Sequence, residues 1–375
     1  MRTQMRRICT LSLGLAIATI AGCGNEAEPA QGADSSTAEG PRVVLYTSAD
    51  DYLLKEVVAE FEKRTGIEVL EVGDTEATKT VGLYKRLVDE KDAPRADVWW
   101  SSEPFYTIRL ANEGVLEPYT SESGEQSIPG GWPEAYRGAD GMWYGIANRA
   151  RVIAYDTRKL TAEQVPGALR DLAEPEWEGK VGMARPTFGT TVGHVATLVH
   201  LWGEEPTRQW LQAMESNGLR LYDGNSSVVR AIANGEIEVG LTDTDDVWAA
   251  QAAGMPVDLV YEIGELDSGA QLSPESVFPM MSFGALTIPN TVARVAGGPN
   301  PEEAQQLIDF LISEAGERKI MASDSRNVPI RELAAEELYV QYPRAKIEPA
   351  ARVDLEAVAG EIETARSLVE DVFGL

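Results

Sequence analysis

The chain has 375 residues, of which 43% are hydrophobic and 25% charged, and its net charge is −27. This is the composition of a soluble globular protein, and the length favours two lobes over one. Such an acid excess repels nucleic acid and anionic membrane surfaces and draws cations to any acidic cleft, so nucleic-acid binding is excluded as a function.

Residues 1–22 read as an export signal. Arg2, Arg6 and Arg7 precede an apolar run from Leu11 to Ile20 that is too short to span a bilayer in a mature protein. The run ends Ile20-Ala21-Gly22-Cys23, which resembles the bacterial lipobox. That resemblance implies a lipid on Cys23, hence a protein anchored to a membrane in the periplasm or at the cell surface. Cys9, the other of two cysteines, lies inside the signal, so the mature chain has no disulfide or thiol chemistry. Residues 23–41 are rich in Gly, Ala, Glu and Ser with almost no large apolar side chain, and read as a flexible tether.

The folded body starts at residue 42. Val43-Val44-Leu45-Tyr46 reads as a buried strand followed by a polar loop at Asp50. Leu53, Leu54, Val57, Val58 and Phe61 recur at helical spacing up to Gly66, and residues 67–72 make the next strand. Residues 78–90 predict a second amphipathic helix, Ala96 to Trp100 a third strand ending in a loop at Glu103, and a further helix stops at Gly114. Trp143 to Tyr155 has the β-branched character of a long strand or a strand pair. A second α/β set follows, with strands at 181–184, 219–222, 239–242 and 257–261 and helices at 190–202, 206–216 and 226–234. Phe283 to Ile288 predicts a strand returning to the first lobe, Asn300-Pro301 predicts the cap and first residue of a helix, and residues 352–373 predict a terminal amphipathic helix.

This rhythm predicts an α/β chain with mostly parallel sheets flanked by helices. The expected organisation is lobe 1 at 42–148 plus 284–325, lobe 2 at 149–283, and C-terminal helices at 326–375 packing on both. A ligand cleft lies between the lobes where the chain crosses near 148–155 and 282–288.

One stretch stands out for chemistry. The strand Val239 to Thr242 runs into Asp243, Asp245 and Asp246, where the pattern predicts the start of a helix. Ligands bind at the C-terminal ends of strands in open α/β sheets. Three acids in four residues repel one another unless a cation, a helix N-terminus or solvent relieves them. Two readings stand side by side: a helix cap made by Asp243 or Asp245, and a ligand site.

Several segments resemble the ferric-ion-binding proteins of bacterial ABC importers. They are Val44-Leu45-Tyr46-Thr47-Ser48, Phe61-Glu62-Lys63-Arg64-Thr65-Gly66-Ile67, Ala96-Asp97-Val98, Gly145 to Val152 and Trp177-Glu178-Gly179-Lys180, in the same order over about 42–330. The resemblance implies the type II periplasmic binding fold. It also implies a monomer that closes on a ligand and delivers it to a membrane permease with a cytoplasmic ATPase, with no catalysis. Residue by residue, the family's first-loop histidine falls on Asp50, its glutamate falls on Ser102 with Glu103 next to it, and its paired metal-binding tyrosines fall on Asp245 and Asp246. The loop Thr187-Phe188-Gly189-Thr190 falls where that family holds a small synergistic anion on a helix N-terminus, a use that Thr191 and the nearby Arg149 and Arg151 fit.

Asp50, Glu103, Asp243, Asp245 and Asp246 form an all-oxygen donor set suited to a hard cation, with iron the expected cargo. His194 and His200, six apart on one helix, make a poor metal pair and disfavour zinc or copper. Rival ligands are an organic cation of the polyamine type, boxed by Trp99, Trp100, Trp143 and Trp248, and a phosphorylated small molecule held by Thr187 to Thr191 with Arg149 or Arg151. A more distant rival is an Asp-x-Asp phosphohydrolase using Asp243 and Asp245, but no lysine stands between Asp246 and Lys319 to serve it.

Overall fold

The computed structural model describes residues 40–74, 80–262, 284–348, 350–351 and 353–375. Cys23, the signal and nearly all of the tether lie outside them. The strands are β1 (Arg42–Thr47), β2 (Glu68–Gly73), β3 (Val98–Ser101), β4 (Leu116–Glu117), β5 (Tyr144–Asp156), β6 (Val181–Ala184), β7 (Arg220–Tyr222), β8 (Val239–Asp243), β9 (Val257–Val260), β10 (Ala285–Val295) and β11 (Ala350–Ala351).

Strand β1 shows why this sequence forms a sheet covered on both sides. Val43 and Leu45 enter one core with Leu53, Val57, Phe61 and Trp100, while Tyr46 enters another with Leu83, Trp99 and Phe105. A strand buried on both faces reads as a continuous apolar run rather than an alternating one, as parallel strands under crossover helices do. β1 pairs in parallel with β2 and β3. The helix Asp51–Thr65 buries Leu53, Leu54, Val57, Val58 and Phe61 and ends on Gly66, whose φ of 71° lets its N–H reach the Glu62 carbonyl.

β5 ties the two lobes together. All 13 of its residues are buried. Its first half pairs antiparallel with β10 in the β2-β1-β3 sheet, and its second half pairs antiparallel with β8 and β9 in the other. β8 and β7 flank β6 in parallel. The result is the two-lobe α/β architecture expected, with β5 and β10 as the connecting strands and a register shift in β10 at Asn290/Thr291. Phe283 lies outside the described residues, and β10 runs on to Val295, well past the predicted end at 288.

Two local expectations change. The terminal helix is broken at Glu361 into Leu355–Gly360 and Ile362–Phe373. Asn300 stands at the cap position of the helix Pro301–Leu311 but gives it no side-chain bond. Its amide instead donates to the buried Asp97 carboxylate at 2.8 Å. The helix Gly189–Trp202 meets the first lobe closely: a Cβ on Gly193 would lie 2.1 Å from Phe105 Cε2.

Candidate functional site

Strand β8 delivers Asp243 to its last position, and the helix Thr244–Ala252 starts directly on Asp245 and Asp246. All three acids are buried, Asp243 completely so. One carboxylate oxygen from each lies within 4.8 Å of the others. Asp243 occupies the cap position yet its side chain makes no cap bond, so the helix-cap reading fails for it. The carboxylate is turned across the sheet instead.

The register of β5 on β8 sets what it meets. Arg151 stands directly opposite Asp243, and Arg149, two residues back, projects from the same face. Arg151 Nη1 donates to Asp243 Oδ1 at 2.8 Å, and Arg149 Nη1 donates to Asp245 Oδ2 at 2.6 Å while lying 3.6 Å from Asp243 Oδ2. Thr190 Oγ1 and Asn225 Nδ2 donate to Asp243 Oδ2 at 2.6 and 2.9 Å. Burial alone would push the Asp243 carboxyl up, but Arg151, Arg149 and the Thr190 hydroxyl hold it below the usual carboxylate value. Burial likewise works against the charge on Arg149, and Asp245 and Asp243 overcome it, so the guanidinium stays protonated. The expectation of acids relieved only by a cation, a helix N-terminus or solvent is therefore corrected. Two arginines placed by the strand register already offset most of the charge.

Glu103 is not part of this cluster. Its Oε2 accepts the Phe105 and Tyr106 amides at 2.7 and 3.3 Å, and its Oε1 accepts the Ser101 hydroxyl at 3.1 Å. It caps the helix Phe105–Asn112 from two residues before its start, and burial pushes it up to about 7. Asp50 is joined indirectly: the Tyr52 hydroxyl donates to Asp50 Oδ2 at 3.2 Å and stands 3.4 Å from Asp245 Oδ2. Burial, with Asp245 and Asp50 beside it, raises the Tyr52 phenol well above its ordinary value. Tyr52 had no signal in the sequence, because it lies 193 positions from Asp245. Tyr46, by contrast, hydrogen-bonds Glu90 at 2.9 Å.

Beside the acids lies a small pocket of about 20 Å³, lined by Ser102, Arg149, Phe188, Gly189, Thr190, Thr191 and Asn225 among others. The helix Gly189–Trp202 begins here with no side-chain cap on its first amides. Helix N-terminal N–H groups without a side-chain cap, beside a guanidinium, have the polarity that suits an anion. Thr187 does not line it.

The other candidates fall into the cores. Trp99, Trp100 and Trp143 are almost fully buried there. Trp248 packs in a third core with Arg326 over its ring, so no aromatic box forms from the four. His194 is buried and pushed down to about 3, chiefly by burial and Arg151, whereas His200 is exposed. They make no metal pair.

Residues 56–347 match the bacterial extracellular solute-binding protein family. The chain belongs to that family. It is 29% identical over 340 residues to iron uptake protein A1 of Synechocystis, a match covering 87% of each chain. It is 34% identical over 212 residues to the Fe(3+)-binding periplasmic protein of Serratia marcescens, covering 56% of this chain and 59% of that one. Iron-bound HitA of Pseudomonas aeruginosa has a similar structure, with a TM-score of 0.70 at 26% identity, covering 89% of this chain and 100% of that one.

Proposed function

We propose that the protein captures ferric iron outside the cytoplasm as the solute-binding component of an ABC importer. The observation that carries this reading is the convergence of carboxylate oxygens from Asp243, Asp245 and Asp246 within 4.8 Å. Hard trivalent and divalent cations favour such an oxygen set, and the names of the relatives point the same way. The donors available are these three carboxylates, with Tyr52 the adjacent phenol and Asp50 behind it. Burial, with the charges of Asp245 and Asp50, now raises the phenol, and a cation placed among these groups opposes the charge contribution.

The pocket at Gly189 to Thr191 takes the anion that accompanies the metal, held by helix amides and Arg149. Cargo that touches β8 and the helix Gly189–Trp202 on one lobe and the start of the helix Asp51–Thr65 on the other stabilises the closed arrangement over an open one. The lipid on Cys23 keeps the protein near its permease and ATPase. Its role is binding and delivery, without catalysis.

The test is equilibrium dialysis of the body from residue 40 onward against ferric citrate, comparing wild type with Asp245→Asn/Asp246→Asn. The double variant loses at least about tenfold in affinity, since two ionised ligands become neutral amides. Equal binding by both proteins overturns the assignment of the site.

A further inference from the structure

We infer that Arg326 is a positioning residue for cargo. Its guanidinium, stacked between Trp248 and Tyr342, latches the helix that carries Asp245 and Asp246 to a segment rooted in the first lobe. For its effect on binding, the inference rests on the metal-cargo reading above.

Three observations carry it. The first is the stack itself. The guanidinium carbon of Arg326 lies 4.1 Å from the centre of the Tyr342 ring and 5.5 Å from that of Trp248. Among the described residues the Arg326 side chain makes no ion pair, so the two ring faces are what hold its charge. The second is the backbone. Arg326 has a φ of 47°, in the left-handed region that glycine and asparagine adopt more readily than arginine. A residue stays there when its surroundings hold it, and both neighbours, Ser325 and Asn327, are buried. Val328 exchanges two backbone hydrogen bonds with Asn148, each 2.7 Å, so the segment is pinned to β5 one residue before Arg149.

The third is where the two ends are rooted. Trp248 stands one turn after Asp245 in the helix Thr244–Ala252 and packs in the core of the second lobe with Val247 and Leu259. Ile320 and Ile330, on either side of Arg326 in sequence, pack in the core of the first lobe with Leu53 and Phe61. One side chain therefore spans from a segment held by one lobe to a ring held by the other. Parting the lobes carries Trp248 away from Arg326 and breaks the stack. The stack favours the arrangement in which the Tyr52 hydroxyl stands 3.4 Å from Asp245, and cargo held between those groups leaves after it opens. Removing the stack lowers the fraction of molecules competent to hold cargo, and apparent affinity falls by the same factor.

The experiment loads the full chain with iron from ferric citrate and follows its release to excess EDTA by metal analysis of the retained protein. Wild type is compared with Arg326→Asn, which accepts the left-handed backbone, with Arg326→Lys, and with Tyr342→Leu. Arg326→Asn releases iron about three- to tenfold faster than wild type, the loss of a half-buried cation–ring stack. Tyr342→Leu releases it faster as well, and Arg326→Lys, which keeps a cation over the rings, stays within about twofold of wild type. Amide hydrogen exchange of the chelator-treated proteins is the second readout and needs no cargo. In Arg326→Asn the peptides covering 243–248 and 148–151 exchange faster, while β1 exchanges as in wild type. A fall in melting temperature with release and site exchange unchanged means a merely structural role and overturns the inference. So does an Arg326→Lys variant as leaky as Arg326→Asn, since the cation is then not what holds the ring. If wild type retains no iron, the metal reading fails by itself: faster site exchange in Arg326→Asn still upholds the latch, and unchanged exchange removes it too.

Discussion

Replacing Asp243 by asparagine tests the electrostatic arrangement most sharply. The carboxylate is fully buried and accepts from Arg151 at 2.8 Å, Thr190 at 2.6 Å and Asn225 at 2.9 Å. Asparagine keeps the shape and removes the charge, which leaves Arg151 buried without its counter-ion. Breaking one side of a buried ion pair costs about 3–5 kcal/mol. Arg149 keeps its shorter bond to Asp245, which puts the expected loss near the lower end, about 3 kcal/mol. Urea denaturation at pH 7, followed by tryptophan fluorescence, measures it. The sign with pH is fixed as well. Asp243 is held below the ordinary carboxylate value, so its stabilisation is present above the unfolded pKa of about 3.9 and is lost as pH falls through the lower folded one. The gap between wild type and Asp243→Asn should narrow below about pH 4. A loss under about 1 kcal/mol at pH 7, or a gap that widens in acid, would refute the buried pairing.

Glu103, at about 7, is raised above its unfolded value, so its contribution is fully present below about pH 4.3 and is lost as pH rises through 7. Melting temperature against pH should fall for wild type between pH 5 and 8 and fall less for Glu103→Gln; parallel curves would contradict the assignment. Gly193→Ala places a methyl 2.1 Å from the Phe105 ring, and overpacking of this kind costs about 1–3 kcal/mol. Small-angle scattering should also show that variant less compact, and an unchanged profile and melting point would show that Phe105 has room to move.

Much of the scaffold was legible because it is local. The apolar runs of β1, β3 and β8 and the helical spacing of Leu53 to Phe61 are written in short windows, and Asp243, Asp245 and Asp246 announce themselves by crowding. What escaped depends on pairing across the chain. Arg151 faces Asp243 because of the antiparallel register of β5 on β8, which no spacing within either strand encodes. Tyr52 reaches Asp245 only after the first lobe is placed against the second. Glu103 looked like a ligand because it is an acid after a strand, yet the amides of Phe105 and Tyr106 are nearer than any shared site. Asn300 looked like a cap, and the buried Asp97 claimed its amide. In each case a distant polar group competed for a side chain that local pattern had already assigned.

The central claim is that the aspartate cluster binds a metal. Metal analysis of protein purified without chelator, followed by melting with added Fe(III), Mn(II), spermidine and a sugar phosphate, tests it most directly. The account predicts about one iron per chain, and a melting temperature that drops on iron removal and is restored by Fe(III). Metal-free protein whose melting temperature rises with spermidine or the sugar phosphate, and not with any cation, would contradict it.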